Sequence, residues 1–257
     1  MLDTLIAAAS RAIQRYCRRD FVSAGYDELH SGRGTRRLLL RHFPILGVDS
    51  VRCRPAMVLS INNTDTGTNQ QARVAVTATG LALVRVASGV PTTNTLTFAA
   101  SVTLAALAGA VNALGNGWSA TVASGFGNWP AADLRGPQGS LSAWGQNAGL
   151  KVHTEELTDY QVDDLRGWLL RPAAEDFWSS GFQNYRVQYT AGYATVPEDV
   201  QEACAELVAT WFQQRGRDLS LHAESTAGTY SYAAAGGDDL PGRIRALLRP
   251  YRHYPLG

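Results

Sequence analysis

The chain has 257 residues, a formal net charge of +1, 45% apolar and 18% charged residues, which is the composition of a folded globular protein and not of a disordered one. It contains no run of about 18 apolar residues that could span a membrane as a helix, and its first residues lack the basic-then-apolar order of a secretory leader. Its three cysteines stand far apart with no CxxC pair, so they read as reduced core thiols of a cytosolic protein.

In chain order, Leu2, Leu5, Ile6, Ala9, Ile13, Tyr16 and Cys17 recur three and four apart, the stripe of an amphipathic helix. Asp3 is the expected N-cap. Arg11, Arg15, Arg18 and Arg19 fall on the other side and in the last turn, where cations favour the helix dipole. Residues 25–31 and 36–40 read as two strands joined at the Gly32-Arg33-Gly34 turn. The continuous Leu38-Leu39-Leu40 suggests burial on both faces. A third strand is expected over 48–54.

Composition changes near Pro55. Residues 57–150 hold five charged residues, whereas the other 163 hold forty. Strands are expected at 58–62, 72–77, 81–86, 96–98 and 118–122, with a helix over Thr103–Leu114 ended by Gly115 and Gly117. Residues 125–149, with their glycines and prolines, read as a long surface loop. Strands follow at 160–163, 167–170 and 184–190. The strongest pattern in the chain is the helix after Gly192. A Thr195–Glu198 capping box and Pro197 mark its start, and Val200, Ala203, Cys204, Leu207, Val208, Trp211 and Phe212 form its apolar stripe. Gly216 is its expected end. Residues 216–237 are weakly patterned. A short helix capped by Asp239 carries Leu240, Ile244, Leu247 and Leu248, and Pro250 stops it.

Charge is unevenly divided: residues 1–56 carry +5, residues 57–150 carry +1, and residues 151–257 carry −5. Such a division suits self-complementary assembly, in which the basic part of one copy meets the acidic part of the next. Searches for chemistry return little. The five histidines form no HExxH, and no GxSxG elbow is present. Gly32-x-Gly34 lacks the third glycine of a nucleotide fingerprint. Acid pairs at 155–156, 163–164 and 175–176 lie near Trp168 and Trp178, the raw material of a carbohydrate site. Neighbouring residues of a strand point to opposite faces, however, which argues against 163–164 as a working pair. No enzyme, metal or cofactor site is expected.

The two ends together resemble the head–tail connector (adaptor) proteins of tailed double-stranded DNA phages. The resemblance rests on LIAAASRAIQRYCRRDF and PILGVDSVR in the first part, and on NYRVQYTAGYATVPEDVQEACAELVATWF and LPGRIRALLRPYR in the last. It covers about 160 residues. It departs from many relatives in lacking a helix before the first one matched, and residues 57–156 are an insertion relative to the compact form. The TLAALAGAVNALGNGWSATV run within them is loosely similar to small modules of flagellar hook-associated proteins. The resemblance implies an α+β protein with a discontinuous helical connector core, residues 1–56 and 157–257, and an inserted β-rich domain, residues 57–156. It implies a virion structural protein of the neck, assembled in the host cytoplasm. Such a protein forms a ring of about twelve copies between the portal and a stopper or tail protein, and DNA passes through it without sequence-specific reading. The segment that would reach the portal contains Arg249, Tyr251, Arg252, His253 and Tyr254, and is expected to be exposed. Arg11, Arg15, Arg18 and Arg19 are the expected subunit contacts. The alternatives are another neck or tail completion protein, or a carbohydrate-binding or carbohydrate-acting protein using the Trp-rich region 118–178.

Overall fold

A computed structural model describes residues 1–137, 139–214, 223–226, 230–233 and 240–253. The fold is α+β. Its longest strand, β3 (Ile45–Asn63), is the spine of a five-stranded antiparallel sheet. The first half of β3 pairs with β12 (Gly181–Ala191), which pairs in turn with β1 (Ala24–Gly32). The second half pairs with β9 (Ala148–Glu156) and β7 (Trp118–Val122). The expected strands 48–54 and 58–62 are thus one strand, and the expected boundary at 56/57 falls inside it. A four-stranded sheet, in the order β6 (Val90–Thr97), β5 (Gly80–Ala87), β4 (Asn69–Val76), β8 (Leu141–Ser142), covers one part of the molecule. A small sheet joins β10 (Gln161–Asp163), β11 (Trp168–Leu170) and β2 (Arg37–Leu39). The strands β13 (Ala223–Thr226) and β14 (Tyr230–Ala233) pair within the region that shows only weak patterning in sequence.

The expected hairpin about Gly32–Gly34 does not form: β1 pairs with β12, and β2 with β11. Gly32 ends β1 opposite Gly181, where a side chain would not fit: Ser179 O lies 2.0 Å from where a Cβ would stand. Leu38 and Leu40 are buried, but Leu39 is 48% exposed, so this strand alternates after all. Residues 125–149 are not a loose surface loop. Ala131, Leu134 and Ala143 are fully buried there, and a 3₁₀ turn spans Ala131–Asp133.

Helix α1 (Leu2–Cys17) begins two residues earlier than an Asp3 cap would set, with Met1 at the cap position and no side-chain cap. Arg18 closes it in the left-handed conformation, its N–H donating to Gln14 O, as an αL terminus does. Helix α2 (Leu104–Ala113) is capped by Thr103, whose Oγ1 accepts from Ala106 N at 3.2 Å. Helix α3 (Glu198–Gln214) follows Pro197 directly. The Thr195–Glu198 box is not made. Pro197 O accepts from Val200 and Gln201 N, and the Gln201 side chain donates back to Val196 O. Gly216 and Asp239, expected to bound α3 and to cap the last helix, lie outside the described residues. Helix α4 (Gly242–Leu248) has Pro241 at its cap, and Pro250 sits in the 3₁₀ turn Arg249–Tyr251 that follows.

Three apolar clusters result. One belongs to the four-stranded sheet, α2 and the second half of β3. A second fills the space between β1, β12, β2 and β11 around Trp178 and Tyr189. The third joins α1, α3 and α4 through Ala9, Ile13, Cys17, Ala203, Leu207, Ile244 and Leu248. The expected packing of the two ends is thus observed. The α3 stripe is narrower than the sequence suggests. Val200, Ala203, Leu207 and Val208 are buried, Cys204 and Trp211 only partly so, and Phe212 is 52% exposed.

These exposures separate two variants. Leu207→Ala should cost about 2–5 kcal/mol, the range for a leucine truncated in a closed core. Phe212→Ala should cost under about 1 kcal/mol. Chemical denaturation of both variants measures this. Equal losses would mean that Phe212 is core and that the α1–α3 packing is misassigned.

Candidate functional site

The surface that stands out lies between α1 and α3. It is an open apolar groove of about 960 Å³, floored by Ile13, Val200 and Val208 and rimmed by Leu2, Ile6 and Phe212. Leu2, Ile6, Val22 and Phe212 remain 42–66% exposed. The cause is geometric. The α1 stripe runs from Leu2 to Cys17, but α3 and α4 bury only its Ala9, Ile13 and Cys17 side. Exposed apolar surface of this kind, flanked by polar residues, marks a contact site.

Of the four arginines expected at a subunit contact, Arg11, Arg15 and Arg18 are exposed. Arg11 and Arg15 stand four apart on one face of α1, and Arg18 extends this basic row at the helix's left-handed cap. Arg19 is placed differently. Its guanidinium donates to Phe43 O and, at 3.5 Å, to Tyr251 O, and it lies 4.4 Å from the Phe43 ring centre and 5.3 Å from that of Tyr193. Burial lowers its pKa, only partly offset by Tyr193.

The expected portal segment is likewise only partly free. Arg249 is exposed. Tyr251 packs on Phe21 and Tyr193 with centroid distances of 6.0 and 6.3 Å, and its hydroxyl lies 3.3 Å from Asp199 Oδ2. Arg252 stands over the Tyr16 ring at 5.1 Å. His253 N donates to Cys17 O at 2.8 Å, and its ring meets Phe43 at 5.0 Å. The expectation of an exposed tail fails for residues 251–253, because the rings of Phe21, Tyr193, Tyr16 and Phe43, together with Arg19, hold them against the helices. Tyr254 lies outside the described residues.

Two ionic clusters, neither apparent from the sequence, hold the sheets in place. Arg186, with a side chain 4% exposed, donates to Asp27 at 2.7 and 2.9 Å and to Asp133 at 2.6 Å. Arg52 reaches Asp133 at 3.0 Å, and Arg135 pairs with Asp27. Burial alone would raise the Asp27 pKa, but its bonds to Arg186 and the charge of Arg135 outweigh it and hold the carboxyl below its ordinary value. In the second cluster Glu28 accepts from Tyr189 Oη at 2.9 Å and from Arg41 at 3.2 Å, with His30 Nε2 at 3.3 Å. Burial opposes its ionisation, yet these neighbours lower its pKa to about 2, while burial and the Glu28 charge raise that of Tyr189 above the ordinary phenol range. Its contribution to stability is present above the ordinary carboxyl value and is lost as pH falls through about 2. Both are structural clusters. Among the described residues, no group of three His, Cys, Asp or Glu side chains could hold a metal ion.

The tryptophans of the carbohydrate alternative are mostly committed to packing. Trp118 and Trp178 are buried, and Trp168 lies between Arg37 and Arg166 at 4.4 and 5.4 Å. No open pair of aromatic platforms remains among them beside the acid pairs.

Residues 151–254 match the family model described as head completion protein (HCP). The match begins in β9 and includes α3 and α4. No curated protein matches the chain. A solved structure titled as the neck of an empty GTA particle, computed with C6 symmetry, is similar at a TM-score of 0.38 and 14% identity, over 99% of this chain and 78% of the other. That likeness is too distant to fix the fold. The resemblance of the chain to phage head–tail connector and completion proteins is borne out by the family match.

The packing of Tyr251 and His253 predicts that truncation after Leu248 lowers the melting temperature. Tyr251→Ala alone should cost about 1–3 kcal/mol, from lost ring contacts and apolar burial. Tyr251→Phe should cost under about 1 kcal/mol, because the Asp199 contact is exposed. A truncated chain that melts with the full chain would show residues 251–253 to be detached in solution.

Proposed function

We propose that this protein is a structural component of the neck of a tailed-phage particle, a ring-forming head–tail connector that sits between the portal and a stopper or tail protein. The family match over residues 151–254 carries this reading. The groove supports it, because α3, within the matched segment, forms one wall of an apolar surface that α1 cannot close. Neighbouring copies cover that surface in a head-to-tail contact, which closes into a ring when its rotation divides the circle. The Arg11, Arg15 and Arg18 row faces acidic surface of the next copy. About twelve copies surround the passing DNA, which is not read in sequence. The portal contact falls to Arg249 and to the segment around Arg252 and Tyr254. The protein acts without catalysis or cofactor, does not engage a membrane, and is built into the virion in the host cytoplasm.

Ring assembly should fail when Ile6 and Phe212 are both changed to Ser, whereas melting should change little, because both side chains are exposed. Arg15→Glu with Arg18→Glu should weaken assembly, and more so at low salt, where screening is least. Electron micrographs and native mass of the protein alone and on DNA-filled heads give the readout. Rings formed equally well by both variants would remove the groove and the arginine row as the contact.

We further propose that residues 57–156 form an inserted domain. Its apolar cluster shares no residue with the other two, and its ends lie on adjacent paired strands, Arg52 opposite Glu156. A chain joining Arg54 to Leu157 through a short Gly/Ser linker should fold cooperatively, but melt lower because Arg186 loses Asp133. An insoluble or molten product would make the segment part of the core.

A further inference from the structure

Strand β6 ends the four-stranded sheet, and no other strand pairs with its outer edge among the described residues. The two-residue turn Ser88-Gly89, with φ of 52° and 75°, joins β5 to β6, and Ala87 faces Val90. This is the geometry of a type I′ hairpin, in which the closing pair exchanges both backbone bonds. Antiparallel pairs then alternate, so Thr92, Asn94 and Leu96 bond to β5, while Pro91, Thr93, Thr95 and Thr97 turn their backbone groups outward. Thr97 confirms the parity, since its carbonyl accepts from Ser101 N at 3.1 Å. Pro91, which has no N–H, occupies an outward position. No hydrogen bond outside the β5–β6 ladder reaches Thr93 or Thr95 among the described residues, and both are exposed.

Other edges of this part of the molecule are sealed. The Asn112 side chain bonds both N and O of Ala120 on β7, at 2.7 and 3.1 Å. The outer side of β4 is covered by β8, by Ala143 N on Ala72 O and by Trp144 Nε1 on Asn69 O. Arg135 and Lys151 exchange backbone bonds at the edge of β9. Proteins also blunt free edges with charges, bulges or short strands. β6 is eight residues long and pairs with β5 without a register shift. Residues 86–132 contain no Asp, Glu, Lys, Arg or His.

We infer that β6 is an assembly edge that pairs antiparallel with β6 of a second copy, about a two-fold axis at Asn94. An edge without charge meets its own copy with no like-charge penalty. In this register Thr93 of each copy exchanges both backbone bonds with Thr95 of the other, which matches the outward parity, and the two sheets become one continuous sheet. The contact is isologous, so it is separate from the head-to-tail contact of a ring and does not depend on that reading.

Asn94→Cys places two thiols across the axis at a non-hydrogen-bonded pair, with Cβ atoms about 4.5–5.5 Å apart. Under mild oxidation the full chain should give a covalent dimer, whereas Thr92→Cys, displaced from the axis, should not. Thr95→Pro removes one outward donor from each copy and no β5 bond. It should weaken association about tenfold or more by sedimentation equilibrium, with the melting temperature retained. Thr95→Lys should do the same, and serves if the proline variant fails to fold. Absence of the Asn94→Cys dimer, together with unchanged mass of the Thr95 variants, would overturn the inference. Unchanged mass combined with failure of a Thr95 variant to enter particles would also overturn it, by assigning the edge to a strand of another protein. Because neither variant touches α1 or α3, loss of rings in the groove variants and loss of this dimer are read independently.

Discussion

The arrangement depends on one strand that serves two cores. β3 runs for 19 residues. Val51 belongs to the cluster around Trp178, whereas Val58, Leu59 and Ile61 belong to the cluster of the four-stranded sheet and α2. A single backbone ladder therefore fixes where the two stand. The ladder yields only where it is irregular. Arg54 takes a left-handed φ of 53°, Pro55 follows it, and the register with β9 shifts between Met57 and Leu59. Such irregularities bend a strand without ending it, which is what a passage from one core to the next requires.

Arg186 reinforces that passage. It takes one carboxylate from β1 and another from the 131–133 turn, so it binds together segments more than 100 residues apart. Burying an ionic group gains little free energy over an apolar replacement, yet removing one partner leaves an uncompensated charge. The cluster therefore acts mainly on specificity: a sheet displaced in register would strand Arg186 without an anion. The Glu28 cluster plays a similar part, where Arg41, His30 and the Tyr189 hydroxyl meet on one carboxylate.

The helices were legible because their information is local. Apolar spacing of three and four gives α1, α2, α3 and α4 directly, and Thr103 marks the start of α2. Pairing partners were not legible. Gly32–Gly34 has the composition of a hairpin turn, but the partners of β1 and β2 are about 130–160 residues away. Residues 125–149 were misread for another reason: Ala131 and Ala143 fill a core without showing an apolar pattern, and glycine content dominated the reading. In β9 the buried His153 interrupts the alternation of Leu150 and Val152. Of the candidate surfaces, the α1 stripe was visible, but its excess width over what one helix can cover was not. The aromatic residues of the tail were visible as possible anchors, but their partners Phe21 and Tyr193 could come only from the fold.

Two kinds of open surface remain, and they obey different physics. The α1–α3 groove gains free energy from area removed from water, which is non-directional and insensitive to register. A surface of that sort tolerates small adjustments of angle, as a closing ring demands. In the proposed contact, its neighbours Arg11, Arg15 and Arg18 would add little affinity but steer approach and suppress wrong partners. The β6 edge is the reverse. Its bonds are directional, and a slip of one residue turns outward donors inward, so it permits few geometries. Placing the tolerant surface on the charged helical part and the exacting one on the uncharged sheet would keep the two proposed contacts from competing. Arginine-rich surface is repelled by its own copy, whereas an uncharged edge is not. In the proposed assembly, charge distribution more than fold thus decides which surface meets which.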